Sequence, residues 1–109
     1  MWVRMGTFRV KPEMVQTLVT AYNERGVPRV RASAGNLGCL LLEPGDGTDE
    51  FVVITIWKDR AAADDYESSG EAAEVVALVR HCFAGPPTLR SFASASHAGL
   101  QELGMVAPV

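Results

Sequence analysis

Three side chains in the second half of the sequence could bind or stabilise an oxygen anion: Trp57, Tyr66 and Arg90. The indole N–H of Trp57 and the phenol of Tyr66 are hydrogen-bond donors, and an inward guanidinium can hold a phenolate or a carboxylate. Donors of this kind stabilise negative charge that develops during a reaction. Each residue also has a structural interpretation: a core tryptophan at a strand end, an interface tyrosine, and a solvated or interface arginine.

Three further residues are expected to contact a substrate: Tyr22, Phe8 and Val53. Phe8 and Val53 belong to two predicted strands, and Tyr22 lies on the apolar stripe of the first predicted helix. A hydroxyl at that place needs a cavity or a backbone partner, and a core position is the alternative interpretation.

The histidines and cysteines are the other candidates for chemistry. Histidine is the usual general base at neutral pH, so His81 or His97 could serve as one, but one lies at a helix end and the other starts the tail. Cys39 and Cys82 are too few for a disulfide framework, and we expect both to be reduced and buried. These four residues lack the paired close spacings of a zinc site, so we predict no metal site.

The composition excludes several classes of function. Ten basic residues against thirteen acidic ones give a net charge of −3, so there is no basic surface for a nucleic acid. The chain is 48% hydrophobic, yet it has no apolar run of about 18 residues that could span a membrane. We recognise no secretory signal and expect a cytoplasmic protein.

The periodicity of apolar residues predicts four strands and two helical regions. The first helix starts at Pro12 and ends or kinks where Gly26 and Pro28 interrupt its apolar stripe. In the second helical region Asp59 can cap a short helix over residues 60–67, a Ser-Ser-Gly sequence breaks it, and a further helix is predicted over residues 71–83. The strands are predicted over residues 2–10, 37–43, 50–58 and 88–96.

This order of strand, helix, strand, strand, helix, strand is that of a ferredoxin-like βαββαβ fold of the α+β class. Both helices would pack on one face of a four-stranded antiparallel sheet, in a domain that we place at residues 1–96. The segment 51–57 is apolar on both faces, and a bare second face would expose more apolar surface than a monomer tolerates. We therefore predict a homodimer with facing sheets, contacted by the tail at residues 97–109.

Three segments resemble motifs of one family. Gly35 to Cys39 is similar to a Gly-x-x-Gly start of the second strand, and Ile56 to Ala62 to a strand-ending tryptophan followed by a charged helix start. Gly85-Pro86-Pro87 is similar to the sequence before the last strand in quinone-forming members from aromatic polyketide pathways. The family is the antibiotic biosynthesis monooxygenase domain, a dimeric α+β barrel, and the resemblance covers about residues 3–95.

The resemblance implies oxidation of an electron-rich phenol, anthrone or quinol by dioxygen, without metal, flavin or other cofactor. Triplet oxygen reacts slowly with closed-shell molecules, so the substrate must become an anion in a dry pocket beside stabilising donors. In the anthrone-oxidising members the tryptophan works with an asparagine four residues earlier and a tyrosine six residues later. Here those positions hold Val53 and Ala63.

A second branch of the family degrades haem with an Asn, Trp and His set. The histidine of that set would fall near Val75 or Val76 and the asparagine near Gly6 or Thr7. The sequence therefore departs from the haem-degrading pattern.

Two hypotheses remain open from the sequence. The first is a cofactor-independent monooxygenase that oxidises a small aromatic compound, in which Trp57 and Tyr66 orient the substrate and Arg90 stabilises its anion. The second is a non-catalytic dimer of the same fold that binds a ligand or a partner, favoured by the missing polar residues at positions 53 and 63.

Overall fold

The computed structural model of the protein describes residues 1–100 and contains the predicted strands. The strands form one antiparallel sheet with the order β2-β3-β1-β4. This order, with helices between β1 and β2 and between β3 and β4, confirms the α+β, ferredoxin-like fold. The strand bounds are β1 (Trp2–Arg9), β2 (Asn36–Leu42), β3 (Glu50–Trp57) and β4 (Thr88–Ala93).

Two helical regions pack on one face of this sheet. The first contains α1 (Val15–Ala21) and α2 (Val27–Ala32), preceded by a 3-10 turn over Pro12–Met14 and joined by a π turn over Tyr22–Gly26. The second contains α3 (Arg60–Ser68) and α4 (Glu71–Ala77), followed by a 3-10 turn over Arg80–Cys82.

Local signals explain where the second region starts and breaks. The Asp59 carboxylate accepts a hydrogen bond from the Ala62 backbone N–H at 2.9 Å, which caps the first turn of α3. Gly70 has a φ of 86°, a left-handed conformation that ends one helix before the next begins. The prediction of a cap and a break is confirmed, but α4 is shorter than predicted because its last turn tightens into the 3-10 form.

The core lies between the sheet and the helices. Cross-strand register places Trp2, Arg4 and Phe8 of β1 opposite residues 57, 55 and 51 of β3, all on the helix-covered face. Trp57 and Leu18 are fully buried there. Apolar residues that reach this layer from both the sheet and the helices therefore hold the fold together.

The other face of the sheet is partly open within residues 1–100, although Ile56 at the end of β3 is buried. Leu40, Leu42 and Phe92 are exposed on it, and Met5 and Ile54 are half-buried. The predicted partner contact of the tail involves residues that lie mostly outside the described part of the chain, so it stays a prediction. None of the helices within residues 1–100 is long and apolar enough to cross a bilayer.

Candidate functional site

A cavity of about 320 Å³ lies between the sheet and the helices. Its floor is the helix-covered face of β1 and β3, and residues of α1, α3 and α4 form its walls. Four residues expected from the sequence line it: Tyr66, Tyr22, Phe8 and Val53. Apolar side chains dominate the lining, as in most small-molecule sites.

A glycine in β1 makes room for this cavity. Gly6 lies opposite Val53 in the register of β1 and β3, and both line the floor. A Cβ atom at position 6 would lie 3.0 Å from Val53 Cγ1, so a larger residue would press into the neighbouring strand. The missing side chain leaves the floor open.

Trp57 lies behind the cavity wall. It is fully buried, and its ring centroid lies 4.7 Å from that of Tyr66, which does line the cavity. The indole Nε1–H donates a hydrogen bond to Thr55 Oγ1 at 3.0 Å. Because this bond occupies an acceptor site of Thr55, the threonine keeps its own proton for a further partner.

Thr55 is a site residue that the sequence reasoning missed. It is a cavity-lining polar residue on the apolar, helix-covered face of β3. The signal was present in the sequence, because a single hydroxyl stands on the same strand face as Val53 and Trp57. A polar residue in such a place needs a partner, and Trp57 is that partner.

Arg4 is the second missed residue. Its guanidinium lies over the Tyr66 ring, 5.3 Å from the centroid, and its Nη2 donates to Glu67 Oε2 at 2.7 Å. The Arg4 side chain is only 12% exposed and lines the cavity, whereas Glu67 is 59% exposed. Strand alternation could have revealed Arg4, since it places this charge on the same face as Phe8.

Arg90 lies on the opposite face of the sheet from the cavity. In the register of β1 and β4 it stands opposite Met5, next to the cavity-lining Leu89. Neighbouring residues of a strand point to opposite faces, so the guanidinium extends over the Phe92 ring, 4.9 Å from its centroid. The structure therefore does not bring Arg90 together with Tyr66 in the protomer.

Burial keeps the two cavity tyrosines protonated. Loss of solvent raises the pKa of Tyr66 to about 12, although the nearby Arg4 cation opposes this shift. Burial is also the main cause of the raised pKa of Tyr22, and the neighbouring Cys39 thiol adds to it, while the buried hydroxyl makes no hydrogen bond of regular geometry in the described part of the chain. At neutral pH both phenols can donate a proton in a hydrogen bond, and neither is a base.

The cysteines and histidines are not among the residues that line the cavity. Both cysteines are free and Cys82 is buried as predicted, but the prediction that Cys39 is buried is wrong: it is half-buried, and this partial burial raises the pKa of its thiol. His81 and His97 are exposed and do not line the cavity. Within residues 1–100, no three His, Cys, Asp or Glu side chains group in a way that could hold a metal ion.

Comparison with known protein families shows to which family this chain belongs. The family model described as antibiotic biosynthesis monooxygenase matches residues 1–78. The chain belongs to this family. The resemblance found in the sequence is thereby confirmed, and a search of the curated proteins gives no match.

Solved structures agree with this family assignment in their fold. Rv0793 from Mycobacterium tuberculosis is 21% identical with a TM-score of 0.72, covering 90% of this chain and 98% of its own. A structure described as antibiotic biosynthesis monooxygenase is 23% identical with a TM-score of 0.71, covering 88% and 100%. A MhuD mutant with two manganese protoporphyrin IX molecules bound per active site is 24% identical with a TM-score of 0.74, covering 91% and 99%. At these identities the likeness establishes a shared fold.

Proposed function

We propose that this protein is a cofactor-independent monooxygenase that oxidises a small phenolic, anthrone or quinol-like compound with dioxygen. The observation that carries the proposal is the apolar cavity of about 320 Å³, walled by Tyr66 and Tyr22, in a chain of this family. The volume is at the lower end of the range for ligand sites, which suits a planar molecule of a few rings. Phe8 and Val53 provide apolar contacts on the floor.

The reaction draws its electrons from the substrate. The substrate loses two hydrogen atoms and gains one oxygen atom as a carbonyl, and the second atom of dioxygen leaves as water with those two hydrogens. The substrate oxygen carries a negative charge once the substrate has lost its proton, and the electron-rich ring then gives up electrons to dioxygen. Thr55, held by Trp57, and the neutral Tyr66 phenol are the donors that stabilise this charge.

The protonated phenols of the cavity limit how the substrate can lose its proton. Because Tyr66 and Tyr22 have raised pKa values, neither removes a proton at neutral pH. In the proposed reaction the substrate proton is therefore taken up by another acceptor, such as water or the Glu67 carboxylate that lines the cavity.

The lining of the cavity favours a small aromatic compound over a porphyrin. One structural relative has manganese protoporphyrin IX bound. In this chain no His, Cys or Met is among the residues that line the cavity within the described range. The usual protein ligands of a haem iron are therefore not among them, apart from tyrosine.

We also propose a homodimer, in which the exposed face of the sheet packs on the same face of a second protomer. The support is the group of apolar side chains on that face, with Leu40, Leu42 and Phe92 exposed in the protomer. Arg90 lies on this face beside Phe92, so we place its role at the dimer interface rather than in the cavity.

The experiment that tests the proposed oxidation compares turnover with and without access to the cavity. The protein is incubated aerobically with anthrones and quinols, and oxygen uptake and quinone formation are recorded against buffer. Val76→Trp fills the cavity from α4, whereas Ala77→Trp adds the same ring to the exposed neighbour. We expect the rate to fall about tenfold or more in the first variant and to stay unchanged in the second.

Two outcomes would overturn the proposal. A rate that never exceeds buffer across the compound set rules out this oxidation, and binding without turnover then supports the non-catalytic alternative. Equal rates in Val76→Trp and the wild type show that the oxidation does not take place in the cavity.

A further inference from the structure

We infer that the aromatic substrate carries a carboxylate, and that Arg4 binds this group at the cavity wall. The inference rests on the proposed function, because it names the chemical class of the molecule that enters the same cavity. It assigns to Arg4 on β1 the binding of an anionic group that the sequence analysis expected of Arg90 on β4.

The burial of Arg4 is the first argument. The Arg4 side chain is only 12% exposed, so its charged group loses hydration, a loss that hydrogen bonds to an anion offset. Its bond to Glu67 uses one Nη2 donor, while an arginine has five N–H donors in a planar fork. The remaining donors suit the two oxygens of a ligand carboxylate.

The position of Arg4 is the second argument. It lies on the helix-covered face of β1, two residues from the open floor at Gly6 and opposite Thr55 in β3. Its guanidinium covers the ring of Tyr66, which also lines the cavity. A planar ligand on this floor therefore meets the guanidinium at its edge, where an acidic substituent would project.

The charge of the lining is the third argument. Two arginines, Arg4 and Arg80, and one carboxylate, Glu67, are the charged residues that line the cavity within the described range. This local excess of positive charge contrasts with the net charge of −3 of the whole chain. Glu67 is 59% exposed, so its ion pair is screened by water and a ligand carboxylate can displace it.

The test measures binding, independently of any oxidation. The probes are anthraquinone-2-carboxylate and the neutral 2-methylanthraquinone, and calorimetry gives both affinities for the full chain. The variant Arg4→Met keeps a long apolar side chain without the charge. Arg29→Met is the matched control, because Arg29 also pairs with a glutamate, Glu71, at 2.6 Å but does not line this cavity.

The wild type and Arg29→Met should bind the carboxylate about tenfold or more tightly than the neutral probe. Arg4→Met should lose this preference and keep its affinity for the neutral probe. Glu67→Gln, which leaves Arg4 in place and removes its competitor, should bind the carboxylate several-fold more tightly.

The possible failures are distinguishable. Binding of both probes with equal affinity by the wild type overturns the carboxylate inference and leaves the cavity as an aromatic site. Binding of neither probe contradicts the proposed function as well. If Arg4→Met does not fold, Glu67→Gln decides: a carboxylate affinity at or below that of the wild type overturns the role of Arg4.

Discussion

At the scale of single residues, Trp57 affects the cavity without touching it. Its N–H holds the Thr55 hydroxyl, and its ring lies against Tyr66. Both neighbours line the cavity, whereas Trp57 itself is completely covered. We therefore regard it as a positioning residue for two donors.

The contribution of the Thr55 hydroxyl to stability can be measured, because it accepts the hydrogen bond of Trp57. Thr55→Val removes the acceptor and leaves a buried indole N–H without a partner, which should lower the free energy of unfolding by about 1–3 kcal/mol. Thr55→Ser keeps the hydroxyl and should therefore retain most of the stability of the wild type. Urea denaturation gives the stabilities, and turnover of the proposed substrate should fall more in the valine variant. Equal stability of the two variants would show that the hydrogen bond contributes nothing.

The buried tyrosines predict a loss of stability at high pH. In the unfolded chain their phenols ionise near the ordinary pKa of 10.0, while in the folded chain burial raises the pKa of Tyr66 to about 12 and that of Tyr22 in the same direction. Above pH 10 the unfolded state binds fewer protons than the folded state, so the free energy of unfolding decreases as the pH rises.

Phenylalanine variants isolate this contribution. Tyr66→Phe should give a flatter decline of the urea midpoint between pH 10 and pH 12, and the double variant with Tyr22→Phe a still flatter one. At neutral pH, Tyr22→Phe alone should be neutral or slightly stabilising, because it removes a buried hydroxyl that has no partner. A wild-type decline that is unchanged in the double variant would assign the effect to other groups.

The sequence revealed part of the site and not the rest for a physical reason. Tyr66 and Tyr22 could be placed because helical periodicity fixes which side faces the sheet. Arg90 could not, because β4 is an edge strand exposed along its whole length, and its sequence alternates without a clear buried side. Arg4 was missed because a charged residue at a core-facing strand position is uncommon. For the same reason, a buried arginine at this position points to a binding role.

At the scale of elements, the first helical region shows how a predicted break becomes a continuous structure. Gly26 and Pro28 predict an end or a kink, and the backbone instead forms a π turn over Tyr22–Gly26 before α2 resumes. Proline lacks an N–H and is tolerated in the first turn of a helix, where Pro28 stands in α2. Composition locates the irregularity, but its form depends on how Tyr22 packs.

Gly26 is the residue that allows this packing. A Cβ atom there would lie 2.9 Å from Cδ2 of Tyr22, whose ring is buried at the cavity. Gly26→Ala should therefore lower the free energy of unfolding by about 1–3 kcal/mol, although alanine favours helices more than glycine does. Gly45→Ala is the control, because nothing lies within 4 Å of a Cβ at that loop position. Thermal unfolding of both variants tests this, and an alanine at 26 that stabilises the protein would contradict it.

At the scale of the whole molecule, the two apolar faces of the sheet are covered in different ways. The order of elements was sufficient to predict the face covered by helices, because the connections of a βαββαβ chain place both helical regions on one side. The other face is partly open within residues 1–100, and Leu40, Ile54 and Met5 are neighbours there across three strands. A partner protomer is the cover that we propose.

A charge at the centre of this face should separate the protomers. Ile54 is half-buried in the protomer between Met5 and Leu40, so Ile54→Lys would bury an ammonium group between two facing sheets in the dimer. We expect light scattering at micromolar concentration to give twice the 11.7 kDa of one chain for the wild type and 11.7 kDa for this variant. Ala77→Lys, on the exposed side of α4, should remain a dimer with unchanged circular dichroism. A stable dimer needs an interface of roughly 1,000 Å² or more. A wild type that sediments and scatters as a monomer would show that the sheet face does not form one, and would contradict the proposed dimer.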